Sequence, residues 1–492
     1  MPNIKNQVKQ LSKDTVYYGM GGAIASFIAF LKAPIFTRIF IPGDYGYIDL
    51  LGTTASLFFM LMGFDLMSGI YRYYYEYKEK KDRKLLVSTG LIFTILVAII
   101  ITTIVFSLKP FMVKYIASKE ITTRNNSLFL SLVLMRTPFS LIQYYFVSLL
   151  RLKREPKKYL YINIFQIIFN FTLSMALVVG LKMHLLGIFL SDLLSIVTVC
   201  LITVILLRKE VILSFSKVMF KQIFRYSLPL YPAVIINWAL LRMNRFFIFN
   251  FCSEEQLGYF SVAIKVAAIL QILIMAYRSA WEPFSMQLIQ DKEHKEIFNK
   301  FFRYGVLFFG FVAFSISISS RPILMIIAPP SYYAASHLIP FILFGYAFNI
   351  SHQSLRFGIA ISKKSQFMTY AQTISFVFAL FINWILITRF AALGAVIAIL
   401  PVYMIKCALL YMFSTKLYKI KINFKIDIFF FTLLLSSIIF MLISYKLSVI
   451  HSLVISITVE MIAALMIFFF VLRKNEQKMI TSKLSSFIQK SY

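Results

Sequence analysis

Six basic residues, Lys32, Arg136, Arg242, Arg245, Lys265 and Lys406, lie well inside long apolar stretches of the 492-residue chain. Only four acids, Asp49, Asp65, Asp192 and Glu460, share such surroundings. A charge placed in lipid is costly, so it normally faces a cavity or a partner. The excess here is cationic, and local pairing with four acids absorbs only part of the set. Arg242 and Arg245 are three apart and share a helix face, which sets two forked, multi-donor cations where a phosphate can be gripped. Lys32, at a similar depth in its own stretch, can face them. Arg38, Arg278 and Arg356 fall near the ends of their stretches, where they can reach the headgroups. A second constellation is Asp65, Arg72 and Glu76, spaced seven and four apart on one helix stripe. Asp65 is either a group that loads and releases a proton during a cycle or one half of a fixed salt bridge to Arg72 or another cation.

The elements that position these residues are membrane spans. A hydrocarbon core about 30 Å thick takes roughly 20 apolar helical residues, and fourteen such stretches fit between residues 15 and 472. The inter-span loops alternate in basic content. Lys78, Lys80, Lys81, Arg83 and Lys84 follow span 2, and Arg151, Lys153, Arg154, Lys157 and Lys158 follow span 4. By the positive-inside rule these loops and both termini are cytoplasmic. The loop between spans 3 and 4, with Lys109, Lys114, Lys119 and Arg124, is the one basic loop on the other side. The net charge of +31 reads as topology signal and attraction to anionic lipid rather than as nucleic-acid binding. The apolar stretch after the first fourteen residues is too long for a signal peptide, contains Lys32 and lacks a small-residue cleavage pattern, so span 1 is expected to stay. Cys200, Cys252 and Cys407 lie in or beside spans, far apart in sequence, and are expected to be packing residues. The longest loops, near 208–226 and 282–300, read as amphipathic connectors, so function must sit within the helical bundle.

The chain also repeats itself. A Gly- and Pro-rich span carrying Gly21, Gly22 and Pro34 leads into Tyr45-Gly46-Tyr47. In the second half, a span opened by Pro229 and Pro232 leads into Leu257-Gly258-Tyr259. Six spans separate the two glycines, an even number, so the halves share one orientation and are related by an axis along the membrane normal. The fold class expected is an all-α polytopic membrane protein of about 14 transmembrane helices. Residues 1–210 form an N-lobe of spans 1–6, 211–415 a C-lobe of spans 7–12, and 416–492 two appended spans and a tail. Gly/Pro-interrupted helices at matching positions of two repeats point to a transporter's central site.

With these features on the page, the chain resembles the polysaccharide-type flippases of the multidrug/oligosaccharidyl-lipid/polysaccharide exporter superfamily. The resemblance runs over nearly the whole chain. It rests on Lys13-Asp14 before the Gly-rich first span, Thr37-Arg38-Ile39-Phe40 with Pro42 and Asp44-Tyr45-Gly46, Gly63-Phe64-Asp65 with Gly69 and Tyr71-Arg72-Tyr73, and Trp281-Glu282-Pro283. It implies a V-shaped pair of lobes with a cationic central cavity, carrying undecaprenyl-pyrophosphate-linked oligosaccharide from the cytoplasmic to the external leaflet of the bacterial inner membrane by alternating access. The sugar and pyrophosphate must cross a layer hostile to both, while the polyprenyl tail stays in lipid. On that reading Lys32, Arg242 and Arg245 hold the pyrophosphate, Arg136 and Lys265 line the cavity, and Asp65 and Arg72 couple or gate. No bond is broken and no cofactor or metal is required. The implied partners are the lipid-linked oligosaccharide, membrane lipids, and a polysaccharide polymerase with other assembly proteins.

Rival readings differ by feature. A drug exporter of the same fold usually has twelve helices and uses acids to bind cations, and the cationic interior argues against it. A lipid II flippase is separated only by motifs that look more like the O-antigen and capsule branch. A membrane-embedded polymerase or glycosyltransferase usually carries a large external loop or an acidic catalytic motif, and neither is present. The sequence has no P-loop, and its five histidines are scattered.

Overall fold

The computed structural model describes residues 21–116, 125–288, 294–362, 366–418, 425–444 and 449–471, together with 364, 474 and 477 and without 23, 26 and 356. The Lys13-Asp14 motif, Arg356 and the C-terminal tail lie outside that set. The described regular structure is helical throughout, and the chain is a multi-pass membrane protein. The first half comprises α1 (27–39), α2 (Pro42–Gly63), α3 (Leu66–Tyr73), α4 (Lys80–Ser107), α5 (Lys109–Ile116), α6 (Asn126–Leu152), α7 (Pro156–Ser174) and α8 (His184–Leu207). The second comprises α9 (Lys217–Ser227), α10 (Tyr231–Arg242), α11 (Asn244–Phe251), α12 (Glu254–Leu288), α13 (His294–Ile318), α14 (Ser320–Ile327), α15 (Ile339–Leu355), α16 (Phe357–Ile361) and α17 (Gln366–Leu417). Helices α18 (Lys425–Ser444) and α19 (Val449–Met466) follow.

Local chemistry sets these boundaries. Pro42 and Pro156 open α2 and α7, where a missing N–H costs nothing. Asn125 and Ser216 accept from the backbone N–H of Leu128 and Met219 and so cap α6 and α9. Within the apolar helices, hydroxyls fold back onto the preceding turn. Thr54 donates to the Leu50 carbonyl at 2.9 Å, Thr94 to Gly90 at 2.8 Å and Thr137 to Val133 at 2.8 Å, which hides polar atoms that lipid cannot solvate.

Eight helices among the described residues are long and apolar enough to cross a membrane, fewer than the fourteen spans read from the sequence. The difference has a physical cause. Several expected spans are broken into two pieces, and α17 joins two spans across Ala391 (φ 50°, ψ −131°). Span 2 breaks at Phe64 (φ 46°) and Asp65 (φ 51°), two non-glycine residues in the left-handed region. Asp65 therefore does not share a continuous helical stripe with Arg72, contrary to the spacing argument. Span 7 runs through α10 and α11, with Met243 between them still in the right-handed helical region (φ −63°, ψ −27°).

The two halves meet chiefly along α2 and α12. A Cβ on Gly46 would lie 2.2 Å from the Glu254 carbonyl oxygen, and one on Gly258 would lie 1.9 Å from that of Pro42. Only glycine allows this approach. The repeat-related glycines are thus the place where the halves touch. Thr37 donates to the Ile327 carbonyl at 3.0 Å and Tyr332 to that of Phe40 at 2.6 Å beside this crossing. Toward the other end of α2, Tyr231 reaches the Met60 carbonyl at 3.3 Å. The Gly69 amide donates to Ser227 Oγ at 3.1 Å, and Tyr77 donates to Gln222 at 2.7 Å. The connector helix α9, placed in the second lobe by the sequence reading, packs Met219 and Ile223 into the apolar cluster built by α3, α4 and α6. Helices α18 and α19 lie against the second half, with Phe430 over Gly310 and Ser319 donating to Glu460 at 2.8 Å.

At the α6–α7 turn, Lys153 pairs with Glu210 at 2.6 Å and Glu155 at 3.1 Å, and Lys158 pairs with Glu155 at 2.6 Å. Burial alone would raise the Glu155 carboxyl, but the hydrogen bonds from Lys158 and Lys153 outweigh it and hold the group below the usual range. The cluster ties the turn to the segment after α8.

Candidate functional site

Three cavities run in series through the first half and the seam between the halves, linked by shared lining residues. The first, about 380 Å³, lies among α1, α6, α7 and α8. Its polar wall comes from α7, where Asn163, Gln166 and Asn170 recur at helical spacing on one face. Lys32 Nζ donates to Asn170 Oδ1 at 2.7 Å. The Asn170 amide in turn donates to Asp192 Oδ1 at 2.9 Å and to Ser195 Oγ at 3.1 Å. Arg136 closes the network on Asp192 Oδ2 at 2.9 Å.

Arg136 and Asp192 also line the second cavity, about 240 Å³, which adds Asp49, Arg242 and Lys265 and so spans the two halves. Each carboxylate there is already engaged. Asp49 receives Arg245 Nε at 2.7 Å and Ser261 Oγ at 2.7 Å, while Asp192 receives Arg136 and Asn170. Arg242 and Lys265 make no salt bridge with a described residue. Lys265 Nζ stands 3.9 Å over the Tyr45 ring, a contact that favours the cation without neutralising it. The middle cavity is therefore a net cationic chamber.

Arg242 also lines the third cavity, about 380 Å³, between α2–α3, α6 and α10. Its wall combines five aromatic rings, Phe59, Tyr144, Tyr145, Tyr231 and Trp238, with aliphatic side chains such as Met60, Leu66, Leu141 and Leu241, and Asp65 is among the lining residues. Trp238 Nε1 donates to Ser56 Oγ at 2.9 Å, and Phe59 meets Tyr144 edge-on at 5.5 Å.

Of the residues singled out from sequence, Arg136, Arg242 and Lys265 come together in the middle chamber. Lys32 faces α7 and α8 rather than Arg242, and joins the chamber through the Asn170–Asp192–Arg136 network. The two arginines nevertheless have different surroundings. Arg242 is exposed to the cavities, whereas Arg245 is buried, paired with Asp49 and hydrogen-bonded to the Leu241 carbonyl at 3.1 Å. Asp65 lines the aromatic chamber, and Arg72 stands outside all three cavities, half-exposed and paired with Glu76. Sequence reasoning assigned no role to Asp49, Asp192 or Asn170. The amide stripe at 163, 166 and 170, along an otherwise apolar span, is the signal that finds the last of these.

A sequence model of the family described as polysaccharide biosynthesis protein matches residues 11–290. The chain belongs to this family. Among curated relatives, an uncharacterized membrane protein of Haemophilus influenzae is 23% identical over 286 residues, which is 57% of this chain and 66% of that protein. Lsg locus putative protein 1 of the same organism is 25% identical over 293 residues, covering 57% and 67% of the two chains. The match thus spans about two thirds of these relatives' own length. Among solved structures, the lipid II flippase MurJ in an inward closed conformation superposes with a TM-score of 0.72 at 12% identity, covering 93% of this chain and all of that one. An inward-facing multidrug resistance transporter of the MATE family of the MOP superfamily gives 0.64 at 13% identity, covering 80% and 94%. At such identities the likeness is one of fold. Together with the family match, it bears out the resemblance to polysaccharide-type flippases: this is a flippase-type transporter fold.

Proposed function

We propose that the protein translocates undecaprenyl-pyrophosphate-linked oligosaccharide from the cytoplasmic to the external leaflet of the bacterial inner membrane by alternating access. The observation that carries this reading is the middle chamber, where Arg242 and Lys265 stand without carboxylate partners among the described residues, beside the Arg136–Asp192 pair. A pyrophosphate joining a lipid to a sugar bears two negative charges. Forked guanidinium groups and an ammonium in a secluded site can replace its water and counterions. Arg242 and Lys265 are the primary phosphate ligands, Arg136 swings from Asp192 to the ligand, and Lys32 supports that exchange through Asn170. Arg245 holds Asp49 and shapes the wall. Asp65 is the coupling group, and Arg72 gates at the end of α3.

The moving bodies are the segments 1–210 and 211–415, with 416–492 following the second, so α9 must leave its place against α3, α4 and α6 as they part, and both termini are cytoplasmic. The Gly46–Gly258 contact is then the external seal. The substrate passes through unaltered, so the protein is not an enzyme, and a polymerase on the far side consumes what it delivers. A lipid II flippase is the second reading. It is supported by the 0.72 superposition on MurJ and asks the same of the pyrophosphate chamber.

The test is leaflet-to-leaflet movement in reconstituted vesicles, with a polyprenyl-pyrophosphate oligosaccharide and lipid II offered separately, with and without a pH gradient. Intact oligosaccharide should move faster than lipid II, and Arg242→Ala should slow it about ten- to a hundredfold, the worth of a charge-assisted hydrogen bond. Faster lipid II movement selects the second reading. Cleavage or extension of the sugar replaces both with an enzyme, and no movement leaves a small-molecule exporter.

A further inference from the structure

The aromatic chamber differs from its neighbours in what it can recognise. Its cavity of about 380 Å³ lies in the range of small-ligand sites, about 300–1,000 Å³. It opens onto Arg242, which also lines the cationic chamber. Whatever sits here is therefore one group away from whatever the cations hold.

The rings are fixed at their polar ends. Tyr145 donates its hydroxyl to the Val87 carbonyl, Tyr231 to that of Met60 at 3.3 Å, and Trp238 to Ser56 at 2.9 Å. Phe64 stacks on Tyr231 at 5.0 Å and 23°, so that ring is held by packing as well. Tethered in this way, Tyr145, Tyr231 and Trp238 lose little freedom when a ligand arrives. Polar groups stand among them: Asn237, next to Trp238 on α10, makes no hydrogen bond with a described residue, and Asp65 is among the lining residues. A pyranose ring matches this surface, because its C–H faces are apolar and its hydroxyls lie at the rim. A polyprenyl chain matches only the aliphatic part of the wall, formed by Met60, Leu66, Met67, Leu141, Val234 and Leu241. Filling the whole chamber with hydrocarbon would strip water from Asn237 and return no hydrogen bond, a penalty of about 1–3 kcal/mol.

We propose that the chamber of Tyr144, Tyr145, Tyr231 and Trp238 is a carbohydrate subsite that receives the sugar attached directly to the pyrophosphate, with Trp238 and Tyr144 supplying stacking faces and Asn237 and Asp65 reading hydroxyls. The inference rests on the pyrophosphate assignment above and adds a source of selectivity to it. The subsite favours glycosylated lipid over bare polyprenyl pyrophosphate, and its wall sets which first sugar is accepted.

The experiment compares two probes on the full chain in lipid nanodiscs: a polyprenyl-pyrophosphate-linked disaccharide and the same polyprenyl pyrophosphate without sugar. Dissociation constants are measured for the unmodified protein, Tyr144→Ala, Trp238→Ala, Trp238→Phe and Arg242→Ala, with the thermal midpoint of each as a control for folding. The unmodified protein should bind the disaccharide lipid more tightly. Tyr144→Ala and Trp238→Ala should each weaken that lipid about tenfold, as loss of an aromatic anchor does, and leave the bare lipid within about twofold. Trp238→Phe should recover most of the loss, and Arg242→Ala should weaken both lipids alike. Equal affinity of the unmodified protein for the two probes overturns the subsite, as does a parallel loss for both probes in the aromatic variants. If the unmodified protein binds neither probe, the pyrophosphate assignment fails first and the subsite fails with it. If the subsite alone is wrong, Arg242→Ala still acts on both lipids and the aromatic variants do not discriminate.

Discussion

Arg242 and Arg245 look interchangeable on paper, three residues apart in one apolar stretch, yet their surroundings give them opposite work. Arg245 is 6% exposed at its side chain and bound to Asp49. Removing it leaves the mostly buried Asp49 carboxylate with only the Ser261 hydroxyl, and breaking a buried pair costs up to about 3–5 kcal/mol. Arg245→Ala should therefore lower the yield and thermal midpoint of the folded protein, whereas Arg242→Ala should stay within about 1 kcal/mol of the parent. The double variant Arg245→Met with Asp49→Asn removes both charges together and should regain most of the lost stability. Thermal unfolding of the purified variants reads this out. Equal midpoints for the two single alanine variants would sink the distinction. That intramembrane cations matter was legible from their cost in lipid. Which of them faces a cavity was not, because Asp49, the carboxylate on α2 that takes up Arg245, is a tertiary contact. Asp65 and Arg72 add a local reason, since a left-handed pair at 64–65 turns the chain between them.

At the scale of elements, the repeated Tyr-Gly-Tyr and Leu-Gly-Tyr motifs were readable as equivalent turns, and the structure gives them a common purpose. Both glycines lie where α2 crosses α12, each under a backbone carbonyl of the other half's helix or its lead-in. A backbone oxygen cannot rotate away as a side chain can, so a methyl group must push the helices apart, at a cost of about 1–3 kcal/mol. Gly258→Ala should widen the distance between spin labels at Ile41 and Ser331, both exposed on either side of this contact. Gly52→Ala, on α2 with nothing within 4 Å of a new Cβ, should leave it unchanged. An unaltered distance distribution in folded Gly258→Ala protein would show that the crossing absorbs the methyl group without opening. Sequence could not supply this contact, because a glycine's neighbours belong to the tertiary structure. It could supply the symmetry that brings two such glycines to one point.

Among the described residues the seam is held toward both ends. At one end stand the Gly46–Gly258 crossing and the Tyr332–Phe40 hydrogen bond, and at the other Gly69–Ser227 and Tyr77–Gln222. The cationic and aromatic chambers lie between, so a headgroup that passes through them requires the two seals to open in turn. A flexible thiol cross-linker tests this in a variant whose three native cysteines have been changed to serine. Cysteines at Ile41 and Ser331 tether the first seal, and cysteines at Tyr77 and Gln222 tether the second. Each tether alone should abolish leaflet-to-leaflet movement of the lipid-linked sugar, and reductive release of a cleavable linker should restore it. The tethers should differ in binding. With the first seal held, substrate added on the cytoplasmic side should still reach Arg242 and Lys265. With the second held, binding from that side should be lost and access from the opposite side kept. Transport that survives either tether would mean that the seam is not the route. Identical binding under both would mean that the seals do not alternate, and the cationic chamber would then be a resting place for lipid rather than a waypoint.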